Sequence, residues 1–125
     1  MPIEAVIDLH AGLLGEHGGA PGLRDRGALE SALARPQQMH AYGSEADLSV
    51  LAAAYVQGIT QNHPFVDGNK RVAFVTLGVF LLLNDIYLDA TEKESEQVIV
   101  NLSAGQLTEP QLVVWLRRNC VPLTP

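Results

Sequence analysis

The sequence predicts an all-α fold, a compact domain of about six helices with one of them buried near the middle of the chain. Three observations predict it. Apolar residues recur at helical spacing over residues 3 to about 16 and again over residues 48 to about 62. Residues 69–84 are apolar nearly all round, the mark of a helix surrounded by others. Two Ser/Thr-x-x-Glu/Gln boxes, Thr91 with Glu94 and Thr108 with Gln111, then mark helix starts in the last third of the chain. A length of 125 residues suits one core and is too short for two, so residues 1–125 are expected to form a single domain.

In order along the chain, Val6, Leu9 and Leu13, flanked by Ile7 and Leu14, form the apolar stripe of the first helix. The Gly18-Gly19-Ala20-Pro21-Gly22 stretch ends it. Asp25 is placed to cap a short second helix carrying Leu29, Ala32 and Leu33. Pro36 disfavours helical geometry at the residue before it, so this helix is expected to stop near Arg35 and residues 37–47 to form a loop. Leu48, Leu51, Ala52, Tyr55, Val56 and Ile59 give the third helix one buried face, and His63-Pro64 ends it. The central helix follows over residues 69–84, then a short extended piece at Ile86-Tyr87-Leu88. The last two helices close over it with Val98, Ile99 and Leu102, then Leu112, Val113, Trp115 and Leu116.

Composition removes several classes of function. With 47% hydrophobic and 18% charged residues, the chain has the apolar surface to fold without disulfides or structural metals. A formal net charge of -6 creates no field that would hold the protein on nucleic acid or an anionic membrane, so neither is an expected partner. The single Cys120 cannot form an internal disulfide, and it is read as structurally idle. The N-terminus shows no basic stretch followed by an apolar one, and the longest apolar run, residues 72–83, is too short to span a bilayer. The expected location is the cytoplasm.

Chemistry concentrates in His63-Pro64-Phe65-Val66-Asp67-Gly68-Asn69-Lys70-Arg71, a turn between two helices. Lys70 and Arg71 fall in the first turn of a helix, where the macrodipole and the unpaired amides favour anions over cations. A bound phosphate resolves that conflict: free amides, close backbone approach at Gly68 and two adjacent cations make a phosphate cradle. Asp67 is placed to hold Mg²⁺ shared with phosphate oxygens, an ion that takes one or two carboxylates and keeps several waters. Asn69 is placed to orient a phosphate oxygen through its amide. His63, with a reference pKa of about 6.5, suits a general base that takes a proton from a hydroxyl. Each residue also has a structural reading: His63 or Asp67 as a helix cap, Lys70 and Arg71 as solvated charges, and Phe65 as a core plug.

A Walker A loop is excluded, because it needs glycine where His63 stands and Ser or Thr where Arg71 stands. His10 and His17 share a helix face but lie on the order of 10 Å apart at helical rise, too far to share a metal ion. Both are read as surface or packing residues. Arg24 has two readings, a reach to the phosphate site or a solvated arginine near a helix start, and it is left outside the site.

The run from His63 to Arg71 resembles the signature of the Fic/Doc superfamily, His-x-Phe-x-Asp/Glu-Gly-Asn-Gly-Arg-x-x-Arg. The resemblance extends to Gly18-Gly19-x-Pro21-Gly22-Leu23-Arg24-Asp25 and to Leu29-Glu30-Ser31-Ala32-Leu33-Ala34-Arg35-Pro36, which are similar to the N-terminal half of the death-on-curing (Doc) toxins. Lys70 stands where Fic enzymes have glycine and Phe74 where they have the second arginine, and both departures are Doc-like.

That resemblance implies a toxin of a toxin-antitoxin pair, a protein kinase that moves the γ-phosphate of ATP to a threonine of elongation factor Tu and arrests translation. It implies His63 as the base that activates the threonine, Asp67 as the Mg²⁺ ligand, and Gly68, Asn69, Lys70 and Arg71 as the residues that hold ATP phosphates. It also implies a cognate antitoxin of the Phd type that folds on binding a groove, since no internal Ser/Thr-x-x-x-Glu-Gly/Asn inhibitory stretch occurs here. The stretch 37–47 is the expected flap for the target backbone. AMP transfer to a protein hydroxyl is the alternative activity, disfavoured by Lys70 and Phe74, and an inactive binding module is the alternative from another class.

Overall fold

The computed structural model describes residues 1–42 and 47–123. Six helices form among them: α1 (Ile3–His17), α2 (Arg26–Tyr42), α3 (Leu48–Asn62), α4 (Asn69–Leu83), α5 (Glu92–Ser103) and α6 (Glu109–Asn119). Two three-residue strands, β1 (Ile86–Leu88) and β2 (Cys120–Pro122), pair antiparallel with Tyr87 opposite Val121. The helical fold is as expected, and the extended piece at Ile86 acquires a partner from the end of the chain. No helix among the described residues is long and apolar enough to cross a membrane.

The core is one cluster that draws Val6 from α1, Leu29 from α2, Ile59 from α3, Leu77 from α4, Ile99 from α5 and Leu112 from α6. α3 is the most enclosed helix, buried at every position from Leu51 to Val56. Its N-cap, Asp47, accepts from Val50 N at 3.0 Å and pairs with Arg117 of α6. The Val50 amide, with help from Arg117, holds the Asp47 carboxyl below its ordinary pKa. The stabilisation from this cap is therefore present above the ordinary carboxylate pKa and is lost as pH falls through the lowered one.

α4 packs against α1, α3, α5 and β1, yet it is not covered on every side. Phe74, Val75, Gly78 and Val79 are only half-buried and Leu82 is exposed, so the all-apolar helix keeps one stripe open to solvent.

Helix α2 runs past the expected stop. Pro36 lies inside it, and residues 37–42 continue the helix instead of forming a loop; residues 43–46 of the expected flap lie outside the described residues. Proline costs the bond to the carbonyl four residues back, that of Ala32. Tertiary packing overrides this cost, because Pro36 is itself buried and α2 packs along α3. The two helices approach closely where Gly58 faces Ala32: a Cβ on Gly58 would stand 2.9 Å from the Ala32 Cβ and 3.0 Å from its Cα.

Of the two capping boxes, that of Thr108 and Gln111 is reciprocal. Thr91 accepts from Glu94 N, but the Glu94 carboxylate accepts from Trp115 Nε1 at 3.1 Å instead of returning to the cap.

Gly58→Val is expected to lower stability by about 1–3 kcal/mol, because the Ala32 backbone leaves no room for a side chain. Gly12→Ala, at a helical position with nothing within 4 Å of the new methyl, is expected to raise it by roughly 0.5–1 kcal/mol. Denaturant unfolding of both variants checks the pair.

Candidate active site

The turn between α3 and α4 is a rigid piece of chain held from three directions. At its centre Phe65 is 2% exposed, and burial of a backbone segment requires its polar groups to be paired. Asn69 does this from the first turn of α4: its Oδ1 accepts from Phe65 N and its Nδ2 donates to Phe65 O, both at 2.9 Å. Asn69 therefore shapes the turn with its side chain. The expected contact of the amide with a phosphate oxygen would use the second Nδ2 hydrogen, which these two bonds leave uncommitted.

The second hold comes from α1. The buried His10 ring stacks on Phe65 with centroids 3.8 Å apart and planes 13° from parallel. Its Nε2 lies 2.7 Å from Asp67 O, a carbonyl that can only accept, so Nε2 carries the proton. His10 is thus a packing residue as read from the sequence, with one polar contact aimed at the turn. His17 is exposed and belongs to the surface.

The third hold is the segment before α2. Leu23 forms an antiparallel bridge with Phe65. Arg24 N and Asp25 N both donate to Pro64 O, at 2.7 and 3.0 Å, and Val66 N donates to Gly22 O at 3.1 Å. The Arg24 side chain is exposed, as expected, but its guanidinium donates to His63 O and Asn62 O. Gly19 is required here: its φ is +121°, and a Cβ would stand 2.9 Å from Asp67 Oδ2.

On this frame the candidate residues are exposed. His63, the C-cap of α3, sits in left-handed geometry (φ 47°, ψ 56°) with its ring in solvent reach. Asp67 is oriented by two backbone amides, Gly68 N to Oδ1 at 2.8 Å and Ala20 N to Oδ2 at 3.2 Å. Gly68 has φ +79° and is the N-cap of α4, where no side chain caps the helix. The first-turn amides therefore stay open to an outside acceptor. Lys70 and Arg71 are exposed at that same end, and neither enters an ion pair among the described residues.

Lys70 and Arg71 also edge a cavity of about 370 Å³ whose walls include Phe74, Glu92 and Glu96. His63 and Asp67 do not line it, so the turn presents its chemistry on an open surface beside the cavity. Among the described residues no three His, Cys, Asp or Glu side chains group as a metal cage. A single fixed carboxylate facing solvent fits an ion that takes its remaining ligands from phosphate and water.

Sequence reasoning missed the contact of His10 with Asp67 and the roles of Arg24 and Gly19. The glycine-rich stretch was visible, but nothing in its spacing shows that it folds onto Asp67.

The sequence profile of the Fic/DOC family matches residues 1–81. The chain is 30% identical over 115 residues to the protein kinase doc of Escherichia phage P1, a match covering 92% of this chain and 90% of that one. It is 44% identical over 75 residues to the toxin Doc of Mycolicibacterium smegmatis, covering 58% of this chain and 57% of the relative.

Asn69→Ala is expected to leave the Phe65 N–H and C=O unpaired and to lower stability by about 1–3 kcal/mol. Chemical denaturation compared with wild type, and with loss of Phe65 amide protection in hydrogen exchange, checks this.

Proposed function

The chain belongs to the Fic/DOC family, and from that premise we propose that it is a Doc-type protein kinase, the toxin of a toxin-antitoxin pair. It acts in the cytoplasm on elongation factor Tu, taking ATP as phosphate donor and a threonine hydroxyl as acceptor, and so arrests translation. The observation that carries the reading is the pairing of an uncapped α4 N-terminus, bearing Lys70 and Arg71, with the Asp67 carboxylate that backbone amides hold in place beside it. Anions and not cations are stabilised at a helix N-terminus, so two exposed cations there call for a polyanion.

In this reading His63 takes the proton of the threonine hydroxyl as its oxygen bonds to the γ-phosphorus. The bond from that phosphorus to the bridging oxygen breaks, and the electron pair leaves with ADP. Lys70, Arg71 and the first-turn amides, with Gly68 allowing close approach, hold the phosphates in line and offset their charge. Asn69 contributes through the turn it shapes. Asp67 would hold Mg²⁺, which supplies charge neutralisation on the phosphate oxygens when bound. The relative named protein kinase doc supports phosphoryl transfer over AMP transfer. So does Phe74, a half-buried apolar wall of the cavity where Fic enzymes carry a second arginine.

The antitoxin has a surface to fit. The open stripe of α4 is the floor of three adjoining hollows, walled by Leu9 and Leu13 of α1 on one side and by Val100 and Tyr87 on the other. Asp8 and Glu16 edge one wall, Glu92 and Glu96 the other. An amphipathic segment with an apolar face and basic flanks complements this groove.

His63→Ala is expected to keep the fold, since the ring is exposed, and to cut γ-phosphate transfer to elongation factor Tu by about 100-fold or more. Incubation with Mg²⁺ and ATP labelled at the γ- or the α-phosphate reads this: label from the α position would move the protein to AMP transfer, and undiminished transfer by the variant would remove His63 from the mechanism. Val79→Glu is expected to weaken the cognate antitoxin by about tenfold or more in calorimetry, leaving transfer intact.

A further inference from the structure

We infer that Arg24 is a positioning residue for the reaction, holding the peptide of His63 in the one orientation that presents its imidazole to the acceptor hydroxyl. The inference rests on the reading of His63 as the base. Arg24 grips three successive carbonyls: Nη2 donates to Asn62 O at 2.7 Å, Nε donates to His63 O at 2.6 Å, and its own backbone N donates to Pro64 O at 2.7 Å. Among the described residues, no other hydrogen-bonds to all three of these carbonyls.

The chemistry of the corner explains why an arginine stands there. Asn62 and His63 end α3, where the last carbonyls lack helical partners and the macrodipole favours a cation. A planar guanidinium offers two donors in fixed geometry and satisfies both carbonyls at once, which a lysine ammonium cannot do with the same directional control. His63 needs the support, because it is a non-glycine residue at φ 47°, a region where side chains persist only when their surroundings over-determine them. Two of the three guanidinium nitrogens, Nε and Nη2, donate to the backbone and tie the side chain to the peptide of the base.

The side chain is exposed, and its removal opens no cavity. The backbone bonds to Pro64 O and from Val66 N to Gly22 O do not involve the guanidinium, so the turn keeps its anchorage when the side chain is cut back. What is lost is the restraint on the His63 peptide. The effect should therefore fall on the rate and not on the fold or on ATP binding.

The test uses the full chain carrying Arg24→Met or Arg24→Lys, with His63→Ala and the exposed Arg118→Met as controls. In NMR spectra, Arg24→Met is expected to move or broaden the amide and imidazole resonances of His63 within a dispersed, folded spectrum, and Arg118→Met is not. In γ-phosphate transfer to elongation factor Tu, Arg24→Met is expected to lower kcat by about tenfold or more with KM for ATP within about twofold, and Arg24→Lys to recover part of the loss. Unchanged His63 resonances in Arg24→Met would overturn the inference, whatever the target protein proves to be. So would a raised KM for ATP at unchanged kcat, which would put Arg24 on the phosphates. An active His63→Ala would instead show that the reading of His63 fails, and the inference with it; an inactive His63→Ala beside a fully active Arg24→Met would overturn the role of Arg24 alone.

Discussion

Burying Phe65 with its backbone paired is the constraint on which the α3–α4 corner depends. A ring so far inside the protein carries its own N–H and C=O out of water, and each must find a partner or cost free energy comparable to a lost hydrogen bond. The Asn69 side chain meets both, from only four residues away, and so closes the turn into a ring. His10 then stacks on the aromatic face and takes the next free carbonyl, that of Asp67. Once the middle of the turn is fixed in this way, its two ends have no freedom to drift, and His63 and Asp67 emerge on either side of a packed plug.

The brace that completes this arrangement is far away in sequence. Residues 19–25 lie along residues 62–67 through backbone bonds at Gly22, Arg24 and Asp25 and through the Ala20 amide on Asp67. A glycine at position 19 lets the two segments approach within the reach of a carboxylate oxygen. Rigid support of this kind matters more to phosphoryl transfer than to most reactions, because the protein's contribution is chiefly position and charge.

The same helix that supplies the phosphate end also carries an unfinished surface. Apolar side chains cover α4 nearly all round, but neighbours take only part of them, which leaves the stripe of Phe74, Val75, Val79 and Leu82 wholly or partly in water. Apolar area left in contact with water is a standing source of association free energy, at about 25 cal/mol per Å² when it is later covered. Lys70 and Arg71 edge the same hollow as Phe74 and Val75, so an occupant of that end of the stripe lies beside the phosphate end of the site.

By itself the sequence determined the helices with strong local signals and the chemical content of the turn. The spacing of Leu48 to Ile59 produced α3, Thr108 and Gln111 produced the reciprocal cap of α6, and His63, Asp67, Lys70 and Arg71 stood together because they are neighbours in the chain. Tertiary structure decided where local rules were outvoted or silent. Pro36 was absorbed into α2 because burial against α3 outweighed one missing helical bond. Glu94 left its capping box because Trp115 offered a donor from another helix. The contacts of His10, Gly19 and Arg24 with the turn join residues some 38 to 57 positions apart, and no periodicity or cap within a helix encodes them. Local geometry follows from the covalent chain and its nearest neighbours, whereas the direction in which a side chain finds its partner exists only after the core has brought distant segments together.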